Sequence, residues 1–237
     1  MLTLPESASL ETRVSLVREA LNTASEGRYP APRLIAVTKT HAPEVFLPLA
    51  DMGVDTIGEN RVQEIREKLP VLADRFQVHM IGRLQTNKVK YIMEGVSMIQ
   101  SLDRMELALE IDRQAQKHQV TMPVLVEISP AGEQQKGGLP PEELEQFLKN
   151  VAPLQGLRVQ GLMAVMPLDA DEETLARLFQ NMRTLFERTR EKMIPGIEMK
   201  ELSMGMSHDF LLAARYGATM VRIGSLLFGK RNYPAPS

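Results

Sequence analysis

The sequence predicts one α/β domain, a single (β/α)8 TIM barrel. Eight short apolar segments of strand character alternate with segments of helical periodicity along 237 residues, a length that one such barrel commonly has. No linker, low-complexity tract or shift in composition divides the chain. We therefore expect residues 1–237 to form one domain, with loosely held ends at 1–8 and 231–237. A doubly wound open sheet is the alternative fold, because it also alternates strands and helices.

The order of the elements follows from apolar runs and helical stripes. Asn60 and Ser207 stand where N-caps are expected, and Asp103 with Glu106 has the spacing of a capping box. The predicted strands are 34–40, 55–58, 78–81, 98–101, 123–128, 159–164, 201–203 and 220–223. The predicted helices are 9–25, 43–52, one after 60, one after 84, 103–118, 144–151, 175–186 and 207–217.

Composition excludes several classes of function. Hydrophobic residues make up 43% and charged residues 24%, as in ordinary globular proteins. A net charge of -2 gives no general attraction for nucleic acid or anionic membranes. The absence of cysteine rules out disulfides, thiolate metal sites and cysteine nucleophiles, and no metal site is predicted. No apolar run is long enough for a membrane span and no signal segment is recognisable, so a cytoplasmic location is expected.

Lys39 is the candidate reactive residue. It ends the first apolar strand, and parallel barrels place their chemistry at the carboxyl ends of the strands. An amine held against low-dielectric walls is more often neutral, which is the form that makes a Schiff base. The alternative is a solvated lysine that opens a loop.

A candidate anion site follows the last two strands. Ser207 comes after the seventh strand, and Gly224 with Ser225 comes after the eighth, where barrels often hold a phosphate. Each residue also has a simpler interpretation, because serine favours helix caps and glycine favours tight turns. Their coincidence at these two strands favours the anion site.

Six ordered segments carry a resemblance to a known family: 36–40, 58–64, 79–88, 161–163, 202–207 with Asp209, and 221–224 continuing through 228–229. On these segments the chain resembles the pyridoxal phosphate homeostasis protein family, also called the YggS or proline synthase co-transcribed family. The resemblance covers nearly the whole chain. One departure is Val78-His79-Met80, where family members often have tryptophan, histidine and phenylalanine.

This resemblance implies a barrel of the alanine racemase N-terminal type, that is, fold type III, which binds pyridoxal 5'-phosphate (PLP), the vitamin B6 cofactor. It implies that Lys39 forms the Schiff base, that Ser207 with the amides of Gly224 and Ser225 holds the phosphate, and that Arg222 faces the pyridine nitrogen. Three further positions match motif residues near the site: Asn60, His79 and Met163.

The expected function is PLP homeostasis: storage and delivery of the cofactor to PLP-dependent apoenzymes by a monomer, without strong turnover. Guanidinium at the pyridine nitrogen disfavours its protonation and so supports carbanion chemistry weakly. Racemases with this barrel add a second domain with a tyrosine base, for which this chain has no spare length. The alternatives are a PLP-dependent racemase or lyase using Lys39, and a Schiff-base aldolase acting on a sugar phosphate.

Overall fold

A computed structural model describes residues 2–5, 7–72, 75–132 and 137–229. Eight parallel strands form a closed barrel in which each strand pairs with its sequence neighbours and β8 pairs with β1. The predicted barrel is confirmed, and closure of the sheet excludes the open doubly wound alternative. The strands are β1 Arg33–Val37, β2 Thr56–Glu59, β3 Gln77–Met80, β4 Met98–Leu102, β5 Met122–Ile128, β6 Leu157–Ala164, β7 Ile197–Met206 and β8 Met220–Ile223.

Helices alternate with the strands. Within the described ranges, 3₁₀ helix occurs at Leu47–Met52, Thr86–Tyr91 and Pro141–Glu143. The α-helices are α1 Leu10–Ser25, α2 Pro43–Phe46, α3 Val62–Leu72, α4 Met105–Lys117, α5 Leu144–Val151, α6 Glu172–Glu191, α7 Phe210–Arg215 and α8 Ser225–Phe228.

Two predicted helices differ from the structure for local reasons. The segment 43–52 is a short α-helix followed by 3₁₀ helix, because Pro48 lacks the amide that a continuous α-helix requires. Gly53 ends it in the left-handed conformation, with φ of 70°. The helix predicted after residue 84 is likewise a single 3₁₀ segment, Thr86–Tyr91.

The predicted caps were wrong at three places. α7 begins at Phe210, three residues beyond Ser207, because β7 runs on to Met206. Asn60 does not cap α3, since its Oδ1 is buried without a hydrogen-bond partner among the described residues. The Asp103 carboxylate pairs with Arg104 instead of the start of α4. The cap at Ser207 is thus lost to the longer strand, and the cap at Asp103 is lost to the neighbouring arginine.

The core has two layers. The main layer lies between the strands and the surrounding helices, and a second, smaller cluster of buried residues fills the barrel interior. The interior cluster draws one residue from each of five strands: Ile35, Met98, Leu125, Met163 and Met220. This apolar layer forms a floor for the polar groups nearer the carboxyl ends.

Two features of the sequence prediction lie wholly or partly outside the described residues. The first is the tail 231–237, which was predicted to be loose. The second is the loop after β5 that contains Lys136, of which the structure describes the part up to residue 132 and the part from residue 137. Among the described helices, none has both the length and the apolar character needed to cross a bilayer.

Candidate functional site

The barrel places the loops after β1 and β8 side by side. Ala36 is in register with Ile223, so the chain leaves both strands at the same end of the barrel. Gly224 lies so close to β1 that an added Cβ would be 3.3 Å from the Val37 Cβ. The His41 and Phe228 rings are 4.7 Å apart between centroids. Closure of the sheet therefore brings Lys39 near the predicted anion site.

Lys39 lies two residues beyond the end of β1 and is partly buried. The Thr38 hydroxyl donates to Glu59 Oε1, and Glu59 also pairs with Lys68 of α3, so the Thr38 side chain points out of the barrel toward the helices. Lys39 follows in the turn that the His41 amide closes on the Thr38 carbonyl, beyond the carboxyl end of β1.

Ser207 and Gly224 are joined directly. The Gly224 amide donates to the Ser207 hydroxyl over 3.3 Å, which links the loops after β7 and β8. Asp209 shapes the first of these loops by accepting the Met206 amide over 2.6 Å. Gly205 has φ of 94°, and a Cβ there would lie 2.5 Å from the Ala213 side chain. The absence of a side chain therefore lets the end of β7 pack closely against α7.

Arg222 lies inside the barrel and is 4% exposed. Its Nη1 donates to the Ser203 hydroxyl over 2.6 Å, and its Nη2 donates to the Ala164 carbonyl over 2.8 Å. Burial lowers the pKa of the guanidinium to about 10, while Glu127 and Asp209 act in the opposite direction. Arg222 therefore stays charged at neutral pH although its hydrogen-bond partners are neutral.

A buried chain of hydrogen bonds runs from Arg222 across the barrel to His79. Because Ser203 accepts from Arg222, its hydroxyl proton is free to donate to Gln100 Oε1 over 2.7 Å. The Gln100 amide nitrogen can only donate, so His79 Nδ1 accepts over 2.9 Å and Nε2 carries the proton. Burial lowers the pKa of His79 to about 3, which keeps the imidazole neutral. We call Arg222, Ser203, Gln100 and His79 the dipole network.

Glu127 is a second titratable group facing this network. Its pKa is raised to about 7, first by burial and then by the charge of Asp103, while the charges of Arg222 and Arg83 oppose the rise. Its neighbours in register are Met163 on β6 and, beyond it, Ser203 on β7. Met163 is fully buried in the interior cluster and lies between these two polar residues in the sheet, so it contributes to the apolar lining of the site.

Asn60 lies at the same end of the barrel, beyond β2. Its backbone touches Gly82, where an added Cβ would lie 2.5 Å from the Asn60 carbonyl oxygen. Asn60 lines a cavity of about 690 Å³, and its Oδ1 is buried without a hydrogen-bond partner among the described residues. A donor group on a ligand could satisfy this oxygen.

The structure thus gathers Lys39, Ser207, Gly224 and Arg222 around one end of the barrel, with exposed Ser225 opening α8 beside them. Sequence reasoning missed three polar residues of the barrel: Gln100, Ser203 and Glu127. The available signal was a polar residue within an apolar strand, which is unusual where a strand is buried on both faces. Among the described residues, no group of three or more acidic or histidine side chains is placed to hold a metal ion.

Fold and site together define a class: closed parallel barrels with a lysine after β1 and a serine and glycine pair bridging the loops after β7 and β8. The chain belongs to the alanine racemase N-terminal domain family, whose model matches residues 14–232. Within that class it belongs to the pyridoxal phosphate homeostasis proteins. A protein of that name from Aquifex aeolicus is 41% identical over 92% of this chain and 94% of its own length. Another, from Pseudomonas aeruginosa, is 37% identical over 93% of this chain and 94% of its own length.

Solved structures agree with this placement. PipY of Synechococcus elongatus, determined with PLP bound, matches this chain with a TM-score of 0.83 and 31% identity. The match covers 93% of this chain and 100% of PipY. An alanine racemase of Clostridium difficile has a TM-score of 0.74 at 16% identity. That match covers 96% of this chain but 57% of the racemase, and it shows the fold alone. The family that the sequence resembles is confirmed.

Proposed function

We propose that this protein binds pyridoxal 5'-phosphate and acts in PLP homeostasis as a carrier that stores the cofactor and delivers it to PLP-dependent apoenzymes. The observation that carries the proposal is the convergence of Lys39 with the bridged pair Ser207 and Gly224 at one end of the barrel. Its relatives named for PLP homeostasis, and PipY with PLP bound, support it.

The residues fit this cofactor. PLP, when bound, supplies an aldehyde that condenses with an amine and a ring that withdraws electrons. Lys39 offers the amine, and Ser207 with the amides of Gly224 and Ser225 offers donors for the phosphate. The unsatisfied Asn60 Oδ1 offers an acceptor for a ring substituent, His79 lies deeper along the dipole network, and Met163 forms the floor.

Arg222 bears on the absence of strong turnover. We assign it to the pyridine nitrogen, where a guanidinium charged at neutral pH opposes protonation of the ring. An unprotonated ring withdraws electrons weakly, so carbanions at the substrate α-carbon would gain little stabilisation. The site is therefore suited to holding the cofactor.

The tyrosines also favour a carrier. Tyr29 precedes β1, Tyr91 precedes β4 and Tyr216 precedes β8, so all three lie toward the amino ends of the strands, away from Lys39. Tyr233 lies outside the described residues. A racemase or lyase needs an acid or base over the open face of the ring, and none of the three described tyrosines is positioned there.

The first experiment tests the covalent bond to Lys39. Purified protein mixed with PLP should gain visible absorbance, and borohydride should fix the cofactor to Lys39 in peptide maps. Lys39→Ala should lose the covalent link while retaining some phosphate-anchored binding, and Lys117→Ala, at an exposed helix end, should behave as wild type. Labelling at Lys136 or Lys88 would overturn the assignment, and absence of the chromophore would favour a sugar-phosphate aldolase.

A second experiment tests the anchor. Ser207→Ala should weaken PLP affinity by about 1–3 kcal/mol, as expected for a lost hydrogen bond to a charged group. Melting temperatures of both proteins without cofactor give the control, since α7 does not begin at Ser207 and the apo protein should lose only the 3.3 Å bond from the Gly224 amide. An equal loss in apo and holo forms would assign Ser207 a structural role only.

A third experiment addresses turnover. Incubation of the holoprotein with amino acids in deuterium oxide should show no sustained exchange of the α-proton. Sustained exchange would favour the racemase or lyase alternative. We propose a cytoplasmic monomer as the working form, and light scattering of the holoprotein would test its oligomeric state.

A further inference from the structure

The loop that carries Lys39 rests on three buried or half-buried charges, which we call the ion cluster: Glu59 of β2 with Glu64 and Lys68 of α3. Lys68 Nζ lies 2.6 Å from Glu59 Oε1 and 3.5 Å from Glu64 Oε2. Glu59 is fully buried and Lys68 is 6% exposed. Neither side chain lines the barrel mouth, and neither has a role in the proposed cofactor contacts.

The ion cluster holds the residue before Lys39 on both its side chain and its backbone. The Thr38 hydroxyl donates to Glu59 Oε1 over 2.5 Å, and the Thr38 carbonyl accepts from Lys68 Nζ over 2.8 Å. The same carbonyl accepts the His41 amide over 3.1 Å, which closes a turn around Lys39.

The residue after Lys39 is held as well. The Thr40 amide donates to Glu64 Oε2 over 2.6 Å. Thr40 has φ of 67°, a left-handed conformation that is rare for β-branched residues and persists only where its surroundings impose it. Glu64 provides that constraint.

From this geometry we infer that Glu59, Glu64 and Lys68 are positioning residues that fix the direction of the Lys39 side chain by clamping Thr38 and Thr40 from behind. The inference rests on the proposed role of Lys39. It separates two parts of binding: the bond of Lys39 to the cofactor depends on the clamp, whereas the phosphate anchor on β7 and β8 does not.

Glu64→Ala tests the clamp, with Glu67→Ala as the matched control, because Glu67 lies on the same helix and its carboxylate accepts a hydrogen bond from exposed Gln63. We expect the covalent bond to Lys39, measured after borohydride trapping, to form about tenfold more slowly in Glu64→Ala, since orientation dominates such rates. Pyridoxamine 5'-phosphate, which has no aldehyde, should bind both variants with Kd within about twofold of wild type. Glu64→Gln, which keeps an oxygen acceptor for Thr40, should recover part of the rate.

The double variant Glu59→Gln with Lys68→Met removes the buried pair at similar volume. It should likewise form the bond to Lys39 more slowly while its affinity for pyridoxamine 5'-phosphate stays unchanged. Equal weakening of PLP and pyridoxamine 5'-phosphate, or equal rates in Glu64→Ala and Glu67→Ala, would overturn the inference. If wild type binds neither ligand, the proposed function fails instead. Hydrogen exchange of the Thr40 amide then decides the clamp, since it should accelerate in Glu64→Ala but not in Glu67→Ala.

Discussion

The ion cluster and the dipole network bury charge in opposite ways. In the ion cluster, Lys68 lies between two carboxylates, and opposite charges compensate one another outside the barrel wall. In the dipole network, Arg222 donates to a hydroxyl and a carbonyl, and the remaining members, Gln100 and His79, are neutral. The first arrangement fixes the backbone beside Lys39, whereas the second leaves a cation facing the barrel interior.

This difference teaches how one barrel mouth can combine rigidity with a net positive field. Lys68 compensates one of the two carboxylates, so the ion cluster keeps at most one net negative charge, and from outside the barrel wall it repels an anionic ligand only weakly. A guanidinium held by neutral dipoles keeps its field. We expect the ion cluster to govern stability and the dipole network to govern what the cofactor ring experiences.

The largest effect should come from breaking the ion cluster. Lys68→Met leaves Glu59 fully buried without its cation, which should lower the free energy of unfolding at pH 7 by about 3–5 kcal/mol. Urea unfolding measures this. The double variant with Glu59→Gln should recover most of the loss, because removing a whole buried pair is often neutral.

The loss in Lys68→Met should also shrink as the pH falls. Burial already raises the pKa of Glu59, and without Lys68 this carboxyl would take up a proton more readily. A loss that is independent of pH, or a double variant as unstable as the single one, would show that Lys68 acts mainly through packing.

The barrel was predictable because its signals are local and repeated. Branched apolar runs such as that ending at Val37, and helical stripes such as that of α6, report the strand and helix periods directly. The placement of Lys39, Ser207 and Gly224 at one end of the barrel was predictable because the carboxyl ends of adjacent parallel strands must meet there.

The ion cluster and the dipole network were not predictable in the same way. In the sequence, Lys68 has the position of an ordinary surface residue of an amphipathic helix. Only tertiary packing directs its side chain toward Glu59 and Thr38. Gln100 and Ser203 come from strands that are not adjacent, and their contact depends on how the barrel interior is filled. The cap predicted at Asp103 failed because the adjacent Arg104 pairs with the carboxylate, and the cap predicted at Ser207 failed because β7 extends to Met206.

Lowering the pH should destabilise the protein through His79 of the dipole network. The folded pKa of His79, about 3, lies below its ordinary value of 6.5, so the unfolded chain binds a proton that the folded protein excludes. The contribution of His79 to stability is therefore complete above about pH 6.5 and should fall by about 1.4 kcal/mol per pH unit down to about pH 3. Unfolding in urea from pH 4 to 7 measures the slope.

His79→Gln provides the control for this titration, because glutamine keeps an acceptor for Gln100 but has no titrating proton. The difference in the free energy of unfolding between wild type and the variant should change by about 1.4 kcal/mol per pH unit, the slope for one proton. Parallel curves would mean that His79 titrates normally.

A smaller effect is expected from interrupting the dipole network. Ser203→Ala removes the acceptor of Arg222 Nη1 and the donor to Gln100 Oε1, which leaves two buried polar groups unpaired. The free energy of unfolding should fall by about 1–3 kcal/mol, less than for Lys68→Met because no opposite charge is left uncompensated. A loss as large as that of Lys68→Met would contradict the distinction between the two regions.

The smallest effect should have the opposite sign. The folded pKa of Glu127, about 7, lies above its ordinary value of 4.5, so the folded protein holds a proton that the unfolded chain has released. Its ionisation therefore contributes nothing below about pH 4.5 and destabilises the fold increasingly up to about pH 7. Glu127→Gln should match wild type at pH 4 and exceed its stability by about 1 kcal/mol at pH 8, a modest gain because the side chain is partly exposed. Glu106→Gln, at an exposed position of α4, should show no such crossover. If Glu127→Gln is less stable than wild type at pH 8, then the attraction between Glu127 and Arg222 outweighs the burial of the carboxylate, and Arg222 would be an ion-paired cation like Lys68.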